Sequence, residues 1–345
     1  MKIGIIGAGL SGLIAGKRLA QAGHDVTVIE KSRKLGGRLA TFKRDGEIFD
    51  YGVSSVISSD PTFESFIELL KEKNTLKEWS RDFALYDGTQ LHEVNPNRPK
   101  NSYHVSEQGL ASVANYLSRW VDVKSEEKAG GLTHIGANRG KKRSWMINLT
   151  DISVFECDAV IIATPAPQAY GVLQTAQDET PARRIIRHID EVRYDSCFSL
   201  MASYKKDLMP DWKGIECEDH TLGWIGNESA KLSNPSKTSV VIRSSASFAH
   251  KHAQTDPEEI TRLLLERASD ISDSWLINPE WTTLHYWKYY QARNPIQDYF
   301  MELEMEEAPL ALVGDYMNGN SVQSAFLSGY NLADYWINKY SEVSV

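Results

Sequence analysis

Gly7, Gly9 and Gly12 stand in GxGxxG spacing between the apolar run KIGII and a stretch with apolar residues at helical intervals. Glycines so placed allow a tight turn, a close backbone approach to a pyrophosphate, and a helix whose N-terminus faces that anion. Ala8, Leu10 and Ser11 occupy the intervening positions of the same expected contact surface. Glu30, with Lys31 beside it, ends a second apolar run, DVTVIEK. A carboxylate at that point, about 20 residues on, can accept hydrogen bonds from an adenosine ribose and opposes a 2′-phosphate there. NAD or FAD is therefore favoured over NADP.

A second cluster, Gly36, Gly37 and Arg38, separates those two. A simple NAD-dependent dehydrogenase has no need of another glycine pair so soon after the acid, and Arg38 brings a planar cation to the pyrophosphate or the flavin side. Gly52 in FDYGVSS is a further close-approach position, and Thr164 follows the run CDAVIIA. Gly314 and Asp315 follow the run LALV, and Ser321, Val322 and Gln323 lead into a helical stretch. A carboxylate there can bond a ribityl hydroxyl, and the helix N-terminus can face the pyrimidine side of a flavin. Resident FAD is expected, held noncovalently because no Cys or His sits in an attachment motif.

Hydride transfer to a flavin needs alignment in a dry pocket more than it needs a general acid. Trp287, Tyr289, Tyr51, Trp224 and Phe248 are candidates for aromatic walls, with His285 and Arg243 as polar anchors; the alternative for each is core packing at strand spacing. His250 and His252 resemble a metal pair but lack an acidic or cysteine partner, so a surface loop and no metal are expected. No nucleophile elbow supports a Ser/His/Asp hydrolase. Cys157, Cys197 and Cys217 are scattered, without CxxC spacing, and read as inert residues suited to a reducing cytoplasm.

The elements that must position these residues are legible in outline. KIGII, a helix ended by Gly23 and DVTVIEK form a βαβ unit. PTFESFIELLKEKN and GLASVANYLSRW read as helices, and VDVKSEEKA, LTHIGAN and RSWMINL as a small antiparallel meander with its hairpin at Gly136 and Gly140. CDAVIIA reads as a fully buried strand. Beyond residue 180, DSCFSLMASY, LGWIGN, TSVVIRSSAS and WTTLHYWKYY read as strands and DPEEITRLLLERASDI as a helix capped by Asp256. With 345 residues, two domains are expected. Residues 1–78, 100–180 and 285–345 are assigned to a discontinuous FAD-binding domain, and 79–99 and 181–284 to a substrate domain.

A net charge of −8 without a basic stripe, the short GKKR at 140–143 apart, argues against nucleic acid. No apolar run has the length of a spanning helix. MKIGIIGAGLSGL imitates a signal peptide, but its glycines fit a strand and turn better, so a cytoplasmic protein is expected. The acidic run MELEMEEAP at 301–309 reads as a solvated loop or interaction surface.

The glycine motifs together resemble the FAD-binding signature of amine oxidases and their relatives. RYDSCFSLMASY at 193–204, the stretch 222–268, LHYWKYYQARNP at 284–295 and VGDYMNGNSVQSAFLSG at 313–329 resemble, in order, the renalase family. The resemblance implies an α/β fold with an α+β second domain, in which a Rossmann-like FAD-binding domain takes the two-domain topology of p-hydroxybenzoate hydroxylase. It also implies oxidation of isomeric dihydro-NAD(P), with O₂ as acceptor and H₂O₂ as product. Gln323 departs from the family's acidic residue, and Tyr286, Lys288 and Tyr290 depart in the stretch that keeps Trp287. A flavin-containing amine oxidase, a hydroxylase using ordinary NAD(P)H and a non-catalytic flavin-binding sensor are the competing readings.

Overall fold

A computed structural model describes residues 1–95, 101–135, 143–176, 180–303 and 308–341. The chain divides into two compact units, one of residues 1–37, 113–194 and 291–345, the other of residues 38–112 and 195–290.

The first unit is built on a six-stranded sheet in the order Met301–Leu303, Leu310–Leu312, Ala159–Ile162, Lys2–Ile6, Asp25–Glu30, Asp122–Ser125. All neighbours pair in parallel except the Met301–Leu303 edge. Such strands are covered on both faces and so read as continuous apolar runs; Ala159, Val160, Ile161 and Ile162 are all fully buried. Helix Leu10–Gln21 follows the first strand, and helix Val322–Ser341 packs along it so closely that a Cβ on Gly329 would lie 2.1 Å from the Ser11 carbonyl oxygen. A three-stranded antiparallel sheet, Ala129–His134, Trp145–Leu149 and Val154–Cys157, brings Ile147 and Phe155 over Gly4. The first strand of the expected meander is a correction: Asp122–Ser125 extends the parallel sheet beside Asp25–Glu30. Gly136 and Gly140, and GKKR except Arg143, lie outside the described residues; Arg143 donates to Asp158 at 2.5 Å.

The second unit carries a seven-stranded sheet in the order Trp281–Ala292, Tyr194–Tyr204, Thr238–Ser244, Leu222–Asn227, Gly214–Cys217, Ala84–Tyr86, Leu91–His92. Side chains alternate between its faces. Leu200, Ala202, Ile225, Val240 and Ile242 pack with residues of helices Ala246–Lys251 and Pro257–Ile271. Met201 and Val241 turn the other way, onto Phe49 of the hairpin Thr41–Arg44/Glu47–Asp50. Asp256 caps its helix by accepting from the Glu258 amide, and Asp60 does the same for helix Pro61–Glu72 at Thr62 and Phe63, contacts worth about 1 kcal/mol each.

The unit boundaries differ from those expected. Phe49 packs with Met201 and Val241, which places residues 38–78 with the second unit. Residues 285–290 continue its edge strand, while Ile185 and Ile189 of helix Thr180–Asp190 enter the core of the first unit. The acidic run is also less solvated than its composition suggested. Met301–Leu303 is a strand whose Glu302 accepts from Trp336 Nε1 and Lys339 Nζ, and residues 304–307 lie outside the described set.

Candidate active site

In the first unit the glycine turn is shaped by backbone contacts. Gly7 has φ +106°, donates to the Ile29 carbonyl at 2.9 Å, and has no room for a Cβ, which would lie 2.8 Å from the Ala163 carbonyl oxygen. Gly12 is tighter still, with its Cβ position 2.3 Å from the Gly7 carbonyl oxygen. Gly9 is different: nothing lies within 4 Å of its Cβ position. The second glycine pair is laid beside the first, since the Gly36 amide donates to the Ala8 carbonyl at 2.9 Å and the Gly37 Cβ position is 3.6 Å from Gly9 Cα.

Glu30 is fixed by the same turn. One carboxylate oxygen accepts from the Ala8 amide and the other from the Ser32 amide, both at 2.9 Å, while Lys31 is exposed. The Thr164 hydroxyl is buried with no hydrogen-bond partner among the described residues, and its methyl lies next to Gly7. Gly314 leaves room for the Tyr316 ring and donates to Ser328 Oγ, and Asp315 is buried. Helix Val322–Ser341 starts immediately beyond Ser321, which accepts from the Ser324 amide, with Gln323 in its first turn. Open space over Gly9, an unpaired threonine hydroxyl and the N-terminus of helix Leu10–Gln21 together fit a dinucleotide pyrophosphate.

Arg38 and Gly52 belong to the second unit. Arg38 Nη1 donates to the Tyr290 carbonyl at 2.9 Å, and the Arg38 carbonyl lies 2.1 Å from the Gly52 Cβ position, so Gly52 is required by packing within that unit.

The same unit assembles an aromatic wall from two distant segments. Tyr51 stacks on Trp287, with ring centroids 5.4 Å apart and 21° between planes, and accepts the Trp287 Nε1 hydrogen at its carbonyl. His285 meets both rings edge-on, at 5.0 Å from Tyr51 and 4.3 Å from Trp287. Strand alternation puts His285, Trp287 and Tyr289 on one face, all half-buried, and Lys288 on the other, exposed with Nζ 5.5 Å from the Tyr289 ring. Burial lowers the His285 pKa below the ordinary histidine value and raises that of Tyr51, so both rings are neutral near pH 7.

Three expected wall or anchor residues have other partners. Phe248 sits on the helix-covered face, against Phe198 and His252. Trp224 lies across the facing glycines Gly214 and Gly226, whose Cβ positions are 2.3 and 2.5 Å from its indole. Arg243 is not a free anchor: Nη1 donates to the Gly52 carbonyl and the Tyr290 hydroxyl, and Nη2 to Ser54 Oγ. The His250/His252 pair ends a short helix, and among the described residues no group of three or more His, Cys, Asp or Glu is arranged for a metal. Burial pushes the Cys157 thiol up to about 12 and Cys197 to about 11, which makes them poor nucleophiles.

Sequence reading missed the charged cluster behind Tyr51. Lys231 Nζ reaches Glu228 at 2.7 Å and Asp50 at 3.3 Å, with all three side chains at most 2% exposed. Asp50 also accepts from Thr41 Oγ1 and the Leu110 amide, and its own amide donates to Glu228. Glu47, also buried, accepts from Ser203 and Ser239 hydroxyls. Burial first, then repulsion by Asp50, outweighs the attraction of Lys231 and pushes Glu228 up to about 7. The i,i+3 spacing of Glu228 and Lys231 in NESAK was the one local signal of this cluster.

A parallel sheet with a glycine-rich first turn and a carboxylate at the end of the second strand defines a dinucleotide-binding domain of Rossmann-like architecture. Residues 5–72 match the NAD(P)-binding Rossmann-like domain, and residues 102–336 match the flavin containing amine oxidoreductase family. The chain belongs to that flavin-containing family. It is 38% identical over 89 residues to a 4,4′-diapophytoene desaturase of Staphylococcus haemolyticus, a match spanning 25% of this chain and 18% of the desaturase. The chain thus spans less than a fifth of the length of that curated relative. Cyclohexylamine oxidase from Brevibacterium oxydans has a similar fold, with TM-score 0.73 and 12% identity over 99% of each chain. Putrescine oxidase is likewise similar, with TM-score 0.70 and 12% identity over 98% of this chain and 99% of that one. Among the described residues no helix is long and apolar enough to cross a membrane.

Proposed function

We propose that this chain is a renalase-like oxidase that takes a hydride from isomeric dihydro-NAD(P), yielding NAD(P)⁺, and passes the two electrons to O₂, which with two protons becomes H₂O₂. The bound FAD supplies the two-electron acceptor and its return to O₂. Gly7, Ala8, Gly9, Leu10, Ser11 and Gly12 would hold the pyrophosphate, with Thr164 supplying a hydroxyl. Glu30 and Lys31 would hold the adenosine ribose, and Gly36 and Gly37 close that side. Gly314, Asp315, Ser321, Val322 and Gln323 would hold the ribityl and pyrimidine end.

The observation that carries the reading is the wall of Tyr51, His285 and Trp287, three neutral rings locked against one another. Such a wall aligns a flat ring and excludes water, and supplies no charged acid or base, which suits a hydride transfer limited by geometry. His285, uncharged and edge-on, would help orient the ring without moving a proton. Trp287→Ala should slow anaerobic flavin reduction by isomeric NADH at least about tenfold, roughly 1.4 kcal/mol of alignment, and leave FAD bound. His285→Asn should do less. Abolition of reduction by His285→Asn with a neutral Trp287→Ala would replace positioning with acid/base chemistry.

The second reading is a flavin-containing amine oxidase, favoured by the family and by the paired Tyr51 and Trp287 rings, which suit a neutral amine. Anaerobic reduction by amines and not by isomeric NADH would select it. A flavin bleached by neither would select the sensor.

A further inference from the structure

Tyr290 follows Tyr289 on strand Trp281–Ala292, and both its hydroxyl and its carbonyl accept from arginines, Arg243 and Arg38. We infer that Tyr290 and Arg243 form a clamp that positions the turn 51–54 and with it the Tyr51 ring of the proposed substrate wall. The clamp is a closed circuit of four segments inside the second unit. Arg243 Nη1 donates to the Tyr290 hydroxyl at 2.6 Å and to the Gly52 carbonyl at 2.9 Å, and Nη2 donates to Ser54 Oγ at 3.0 Å. The Tyr290 carbonyl accepts from Arg38 Nη1 at 2.9 Å, and the Arg38 carbonyl accepts from the Val53 amide at 2.9 Å.

Each residue from Asp50 to Ser54 thereby has at least one polar group held. Asp50 is held by Thr41, Leu110 and Lys231, the Tyr51 carbonyl by Trp287, Gly52 and Ser54 by Arg243, and Val53 by Arg38. Arg243 is 9% exposed, so its forked charge-assisted bonds face little competition from water. Tyr290 gives Nη1 a second acceptor beside the Gly52 carbonyl: without the hydroxyl, Nη1 keeps a single partner and the fork is held less firmly. Since Tyr51 stacks on Trp287 and touches His285, a turn that drifts carries the wall with it.

The inference rests on the wall reading above, so one of its readouts is independent of turnover. Hydrogen exchange at Val53 in the FAD-loaded Tyr290→Phe variant should rise at least tenfold over the unsubstituted chain, with flavin content unchanged. With whichever reductant bleaches the flavin, its limiting reduction rate should fall about three- to tenfold at an unchanged dissociation constant for that reductant. Arg243→Lys, which keeps the charge and loses the fork, should give the same pair of effects, and adding Tyr290→Phe to it should add little. Unchanged exchange at Val53 overturns the clamp. Faster exchange with an unchanged limiting rate overturns its role in positioning. Failure of the wall reading itself would appear elsewhere, as a neutral Trp287→Ala.

Discussion

The glycine cradle of the first unit and the sheet face of the second, proposed to hold cofactor and substrate, are built from opposite materials. The cradle is made of main chain. Gly7, Gly9, Gly12, Gly36 and Gly37 act by what they lack, and the one charged side chain among them, Glu30, is fixed by the amides of Ala8 and Ser32. The sheet face is made of side chains whose partners lie far off in sequence, with Trp287 bonded to Tyr51, Arg243 to Gly52 and Lys231 to Asp50. A main-chain site tolerates changes of chemistry and fails on bulk. A side-chain site should tolerate bulk at its rim and fail when a buried partner is removed.

The sharpest way to break that contrast is at Gly9. Nothing occupies the space above it, so Gly9→Val should fold with a near-native melting temperature and be colourless, because the valine fills the space proposed for the pyrophosphate. Gly12→Val, whose Cβ would meet the Gly7 carbonyl, should instead lose the fold, read as insoluble protein or a collapsed thermal transition. A yellow Gly9→Val variant would remove the glycine turn from the cofactor site.

Lys231→Met is the matching test in the second unit. Removing the ammonium leaves Asp50 and Glu228 buried without their cation, which costs about 3–5 kcal/mol and should appear in denaturant midpoints. A loss below about 1 kcal/mol would mean that the cluster is not held by charge pairing.

The smallest effect is one of pH. Glu228 titrates near 7 in the folded chain, above its ordinary carboxylate value, so between those two pH values the folded state binds more protons than the unfolded one. Stability attributable to Glu228 is therefore complete below the unfolded pKa and declines as pH rises through about 7. Glu228→Gln should flatten that decline in melting temperature between pH 5 and 8. An unaltered slope would assign it to another group.

The same contrast explains what could be read from the chain before its fold was known. The βαβ unit, the second glycine pair and the buried strand Ala159–Ile162 are local patterns, and each stands where its spacing predicted. Trp287, His285 and Tyr289 share a face because strand alternation is also local. The partners of Arg243, expected as a polar anchor or a packed residue, were not legible because Gly52 and Ser54 are about 190 positions away. The burial of Asp50, Glu47 and Glu228 likewise depends on partners far off in sequence, and residues 38–78 fall in the second unit because Phe49 packs on Met201, a contact that leaves no mark in either segment.

The close fit of Gly329 against Ser11 has a consequence for how the protein is made. The helix that carries the glycine turn is backed by Val322–Ser341, and the sheet beneath is extended by Leu310–Leu312, so the first unit gathers segments from both halves of the chain. During synthesis at roughly 5–20 residues per second, helix Leu10–Gln21 waits for well over ten seconds before helix Val322–Ser341 emerges. The glycine turn proposed for the pyrophosphate is thus made long before it is packed, and a bound cofactor would meet it fully supported only after residues 322–341 have folded onto it.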